Sequence, residues 1–213
     1  MKITEARWRR RSLYLLVLED GRELLVDRRT FDESPHRVGG SLSEEQLEAL
    51  LCRSEYNRAH DKALYLLSLR DYAGRELEKK LTGEATPAVA AAVVERLRAV
   101  GLLDDAAYAR RTADSLVRYK QYPRRRVEQE LLRRGIDRET AREAAQEADC
   151  DDLQQALALV RKKYYNKLQN REQRQKTVAA LVRRGYSFEV ARRAAEIAAQ
   201  AQTDTEETDE AWQ

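Results

Sequence analysis

The chain has 213 residues, 36% of them charged and 7% aromatic, a balance that suits solvated helices and is poor material for a large β core. The formal net charge of +3 hides a split, because the last eleven residues, TDTEETDEAWQ, hold five acids and no base and leave +8 on the rest, a charge suited to an anionic partner. No run approaches the roughly twenty apolar residues of a membrane span, MKITEARWRRR lacks the apolar core of a signal peptide, and Cys52 and Cys150 stand apart without disulfide or metal-ligand spacing; a cytoplasmic protein with reduced thiols is expected.

Residues 1–42 carry the one non-helical signal. LYLLVL (13–18) and ELLV (23–26) flank Asp20-Gly21, and an Asp-Gly between two β-compatible runs predicts a hairpin. A lone hairpin is marginal in water, so this one is expected to pack on helices or on a partner. Arg7, Arg9, Arg10 and Arg11 surround Trp8, which suits either a solvated strand end or a phosphate-contacting strand with a stacking indole. Pro35 and Gly39-Gly40 predict a loop over 32–42. A leading helix over 43–58 follows, with a Ser43/Gln46 capping box and a Leu42/Leu47 staple.

Three three-helix units come next, at 59–103, 104–150 and 151–200. The first holds helices over 59–69 (with Leu64 and Leu67 facing inward), 74–81 and 88–100, the last opened by Thr86-Pro87 and stopped by Gly101. In the second, helices run to about Lys120, from Pro123 to Gly135, and from the Asp137 cap to about Ala148. The third starts at Asp151, shows an apolar stripe at Leu153, Leu157, Val160, Tyr164 and Leu168, and closes with helices over 171–184 and 188–200. Residues 201–213 are expected to form an acidic disordered tail.

A repeat supports this division. Residues 131–148 (LLRRGIDRETAREAAQEA) and 181–198 (LVRRGYSFEVARRAAEIA) agree at ten of eighteen positions, at an offset of fifty. Each copy reads helix, Gly stop (Gly135, Gly185), cap (Asp137, Ser187) and second helix. The fold class predicted is mostly α: a tandem array of three three-helix units, preceded by a short N-terminal β-hairpin and a leading helix.

Several segments together resemble one family. ALYLLSLR (63–70), RELEKKL (75–81), VERL (94–97), GLLDD (101–105) with Tyr108-Ala109, and VEQELLRRGI (127–136) are similar to the RecX family of RecA regulators over about 60–200. Two features depart from the family pattern, the short Thr82-Gly83-Glu84 link in the first unit and the acidic tail. The resemblance implies a bacterial, monomeric protein that binds the RecA–DNA filament and curbs RecA's ATPase, strand exchange and co-protease activities. It also implies binding to single- and double-stranded DNA, and since nothing in the residues resembles base-edge readout, that binding is expected to be sequence-independent. The motif positions Leu103, Tyr108 and Leu131 read as core, and Asp104 as a cap.

The residues read by themselves contain no enzymatic constellation. His36 and His60 are the only histidines, and no Ser-His, Cys-His, zinc or phosphate-loop spacing occurs, so no catalysis, metal or cofactor is expected. What remains is charge. Arg124, Arg125 and Arg126 open one helix and Arg133 and Arg134 close it; Lys162 and Lys163, then Arg171, Arg174 and Lys176, then Arg183 and Arg184 follow. An Arg-Arg pair at a helix C-terminus complements the macrodipole. Its recurrence at the same place in successive repeats equally suits a basic stripe along a phosphate backbone. Tyr122 and Tyr165, beside bases, are candidates for stacking on nucleobases or for half-buried packing. A sequence-independent architectural DNA binder and a helical protein-binding scaffold remain open beside the RecA regulator.

Overall fold

The computed structural model describes residues 1–9, 12–168 and 170–210, with the side chains of 167 and 202–210 outside that description. The chain divides into two compact units, Met1–Asp104 and Asp105–Gln213.

In the first unit the Asp-Gly turn closes the predicted hairpin. Gly21 takes φ +84°, and Asp20 accepts the Arg22 N–H at 3.0 Å. The strands on either side are β2 (Leu13–Leu18) and β3 (Glu23–Asp27). The hairpin is part of a larger element than the sequence suggested. Ile3–Arg9 forms β1 and pairs antiparallel with β2, giving a three-stranded sheet in the order β1-β2-β3. Mostly exposed polar residues line β1, so it lacks the apolar run that signals a strand. The expected loop over 32–42 starts later, because Asp27 caps a short helix α1 (Arg28–Glu33) through the Thr30 N–H.

A second correction concerns the leading helix. The expected boundary near 58 does not exist: α2 runs unbroken over Glu44–Leu69. The capping box at its start is present, with Ser43 Oγ accepting the Gln46 N–H at 3.1 Å and Gln46 Oε1 accepting the Ser43 N–H at 2.9 Å. Ser54 and Asn57, residues that usually weaken a helix interior, have partners across the unit. Ser54 Oγ accepts the Asp27 N–H at 2.7 Å, and Asn57 donates to Thr30 Oγ1 at 2.8 Å. One helix thus serves two cores. Leu47 and Leu50 join Ile3, Leu16, Leu18, Val26 and Phe31 under the sheet. Further along, Ala59, Ala63 and Leu66 pack with Leu77 and Leu81 of α3 (Gly74–Leu81) and with Val93 and Leu97 of α4 (Pro87–Ala99). The inward stripe is therefore 59, 63 and 66; Leu64, expected inward, is exposed, and Leu67 is partly buried against this core.

The second unit contains α5 (Asp105–Lys120), α6 (Arg124–Arg133), α7 (Arg138–Glu147), α8 (Asp152–Lys163), a single 3₁₀ turn (Tyr165–Lys167), α9 (Arg171–Arg184) and α10 (Phe188–Glu210). Asp151 caps α8, Asn170 caps α9, and the Ser187 hydroxyl accepts the Val190 N–H at the start of α10. The last helix continues where a disordered tail was expected, since the backbone of 201–210 is helical; residues 211–213 lie outside the described residues. Thr, Glu and Asp are not strong helix formers together, but no Gly or Pro interrupts them after Gln202.

The sequence repeat is a structural repeat. Gly135 (φ +90°) and Gly185 (φ +109°) end α6 and α9 with the same bonds: Ile136 N–H to Leu131 O and Tyr186 N–H to Leu181 O, both 3.2 Å. Ile136 and Tyr186, the residues after those glycines, are both buried. From 131–148 to 181–198 the burial class agrees at every position except Glu147, exposed, against Ile197, half-buried.

Candidate nucleic-acid interface

The twelve basic candidates fall into three groups by what their side chains touch. The first group holds the second unit together. The Arg124 amide donates to Asp152 Oδ1 at 3.0 Å and its guanidinium to Cys150 O at 3.1 Å, tying α6 to the start of α8. Arg134 donates to Tyr108 Oη at 3.1 Å, and Arg184 to Lys120 O at 2.9 Å. Arg126 is half-buried beside Gly185, where an added Cβ would lie 2.9 Å from the Arg126 Cβ. Burial pushes the Tyr186 hydroxyl pKa up, and that hydroxyl donates to Gln121 O at 2.8 Å. Repeats 2 and 3 are therefore bolted through the α5–α6 turn.

The second group is exposed and ion-paired. Arg133 meets Glu130 at 2.9 Å and Lys176 meets Glu172 at 2.6 Å. Lys176 and Glu172 are both exposed, and a pair of that kind contributes about 0–1 kcal/mol, so phosphate can displace the carboxylate at little cost, whereas the Glu130 side chain is only 13% exposed. The third group is Arg125, Lys162, Lys163, Arg171, Arg174 and Arg183. These side chains are exposed and form no ion pair among the described residues. Arg183 differs from its counterpart Arg133 because Ala180 stands where the other repeat has Glu130.

Of the stacking candidates, Tyr122 is half-buried with the guanidinium groups of Arg126 and Arg184 at 5.5 and 5.9 Å from its ring. Its ring is occupied within the protein. Tyr165 is 39% exposed on the 3₁₀ turn. Tyr119, an aromatic that also stands beside bases, is 75% exposed at the end of α5, and the sequence reading passed over Phe188, 67% exposed on α10. A Phe at the helix start where the other repeat has Arg138 was the available signal for Phe188. In the first unit, Trp8 is 55% exposed with Arg28 5.5 Å from its ring, while Arg10 and Arg11 lie outside the described residues.

No group of His, Cys, Asp and Glu among the described residues is arranged to hold a metal ion. Cys150 is a buried thiol whose pKa is pushed up to about 12, first by burial and then by the Asp152 carboxylate, so it stays protonated and inert near neutral pH. No helix among the described residues is long and apolar enough to cross a membrane.

Comparison with known proteins gives this scaffold its place. Residues 104–144 match the RecX second three-helix domain and residues 149–195 the RecX third three-helix domain. Regulatory protein RecX of Thermus thermophilus is 35% identical over 129 residues, covering 61% of this chain and 84% of that protein. The chain belongs to the RecX family. Regulatory protein RecX of Clostridioides difficile is 28% identical over 160 residues, covering 74% of this chain and 76% of its own length. A solved structure described as "Crystal structure of regulatory protein RecX" shares the fold, with a TM-score of 0.64 at 22% identity over 89% of this chain and 96% of its own. All fourteen candidate residues fall inside the two matched RecX segments, and every motif position named as core, Leu103, Tyr108 and Leu131, is buried.

Proposed function

We propose that this RecX-family protein binds the RecA–DNA nucleoprotein filament as a cytoplasmic monomer and inhibits RecA's ATPase, strand exchange and co-protease activities, thereby regulating recombination and DNA repair. Family membership supports RecA as the partner in this reading. The observation that supports a nucleic-acid contact is that six of the twelve candidate bases are exposed and form no ion pair among the described residues. Side chains of this kind can exchange water and counterions for phosphate without breaking the fold. The contact is sequence-independent in this reading, because the set consists of backbone-seeking Lys and Arg on surfaces of separate helices rather than one helix presenting side chains to base edges.

The deciding experiment is RecA's single-stranded-DNA-dependent ATPase with this protein titrated in. Marked inhibition well below one copy per RecA supports action on the filament. Inhibition only when the protein saturates the DNA rejects it in favour of an architectural DNA binder, a reading that the same six bases also support. Inhibition by an equal concentration of an unrelated basic helical protein rejects it as well. A scaffold that binds only protein predicts no salt-dependent affinity for DNA at all.

A further inference from the structure

Repeats 2 and 3 share a backbone and a burial pattern, yet one exposed face differs in chemistry. Between α9 and α10 lies a groove of about 950 Å³. Val178, Ala179, Val182 and Phe188 are its apolar floor, with Phe188 67% and Val182 40% exposed and Val178 half-buried against the core of the repeat. Arg171, Arg174, Arg183 and Arg192 rim it, and Glu196 is the one acid of its lining, paired with Arg192 at 2.7 Å.

The fold does not require that floor to be apolar. At the fifty-residue offset, Val178, Ala179 and Phe188 correspond to Glu128, Gln129 and Arg138, and the second repeat builds the same helix pair with those polar residues. Only Leu132, opposite Val182, is apolar in both. Exposed apolar surface that folding does not need, gathered in one concave place, is a mark of a docking site.

We infer that this groove docks an acidic amphipathic helical segment of a partner protein, its apolar side chains lying on Val178, Val182 and Phe188 and its carboxylates meeting the arginine rim. The charge balance selects this occupant. Three of the four rim arginines, Arg171, Arg174 and Arg183, have no ion pair among the described residues, and a carboxylate–guanidinium fork satisfies them. Bare DNA fits less well, because it brings phosphates for the rim and nothing for an apolar floor between two helices. An amphipathic helix supplies both, with anchors at i, i+3, i+4 and i+7. The inference gives Arg171, Arg174 and Arg183 to protein and leaves Arg125, Lys162 and Lys163 of that exposed set for phosphate.

The test uses the full chain and a fluorescein-labelled helical peptide of Leu and Glu, with Leu at i, i+3, i+4 and i+7, beside a scrambled peptide of equal charge. Fluorescence anisotropy is expected to show the amphipathic peptide binding at least tenfold more tightly than the scrambled one. The double variant Val178→Glu/Phe188→Arg installs the residue types of the second repeat, keeps the net charge and is expected to retain the helical circular dichroism; because Val178 also packs against the repeat's own core, Phe188→Arg alone, at an exposed position, is the second variant and is expected to keep the melting temperature. Each variant is expected to lose the peptide preference, and Arg171→Gln/Arg174→Gln to weaken binding of both peptides. Equal binding of the two peptides overturns the inference. So does loss of single-stranded DNA binding in Val178→Glu/Phe188→Arg with peptide binding intact, which would make the groove a phosphate site. Self-association that this variant abolishes, without peptide binding by the wild type, also overturns it and makes a second copy the occupant.

Discussion

Repeats 2 and 3 are two castings of one form whose surfaces have diverged. Leu131 and Leu181 are both fully buried, the glycines after them make the same turn, and the alanines of α7 and α10 pack in the same order. Positions outside the buried set follow no such rule: Glu128 corresponds to Val178 and Glu130 to Ala180, all half-buried, and exposed Arg138 corresponds to exposed Phe188. Packing constrains the buried set, so function is to be sought where the copies disagree. The largest test of the equivalence is Leu131→Ala against Leu181→Ala. Each is expected to cost about 2–5 kcal/mol by urea denaturation, from lost burial plus the cavity left behind. A wide gap between the two would mean that the repeats do not share a core.

The Arg-Arg pairs refine the comparison within each repeat. The second arginine of each pair is half-buried and donates to a fixed acceptor, Tyr108 Oη or Lys120 O; the first is exposed. Arg134→Ala and Arg184→Ala are expected to lose about 1–2 kcal/mol of stability, since each leaves an acceptor without its donor. Arg133→Ala and Arg183→Ala are expected to stay within about 0.5 kcal/mol. Under the proposed function the order reverses for DNA binding at low salt, where Arg133→Ala is the more damaging of the 133/134 pair once the fraction folded is equalised. Equal stability losses across each pair would remove the distinction between a structural and a surface arginine.

The helices of the second unit were legible because their ends are marked by residues with one physical job: Asp137, Asp151 and Ser187 as caps, Gly135 and Gly185 in the left-handed region. Where such marks are missing the reading failed. Nothing local says that α2 continues through Asn57, because the bond that makes Asn57 tolerable comes from Thr30, far back in the chain. Strand β1 was obscured in the same way, its exposed polar residues being held by pairing with β2 rather than by an apolar stripe. The basic candidates were legible as a set but not individually. Spacing placed Arg133 and Arg134 side by side; only the fold shows that Arg134 meets Tyr108 and that Arg133 lies exposed beside Glu130. The apolar groove of the third repeat was present in the sequence as the substitutions between copies, which matter only once both copies are known to share a burial pattern.

The smallest expected effect separates the repeats by pH. Asp137 and Ser187 occupy equivalent cap positions and accept the Thr140 and Val190 amides at 3.0 and 3.1 Å. Either cap replaced by Ala is expected to cost about 1 kcal/mol at neutral pH. Only one of them titrates. The Thr140 amide holds the Asp137 carboxyl below the usual Asp value, so its contribution is present above the unfolded-state pKa and is lost as pH falls through the folded one. The hydroxyl cap of the third repeat has no such dependence. Asp137→Ser is therefore expected to flatten the decline of the urea midpoint below about pH 4, and Ser187→Asp to steepen it. An unchanged acid limb in both variants would mean that the Asp137 carboxylate contributes nothing beyond what a hydroxyl provides, and the two caps would then be interchangeable in charge as well as in geometry.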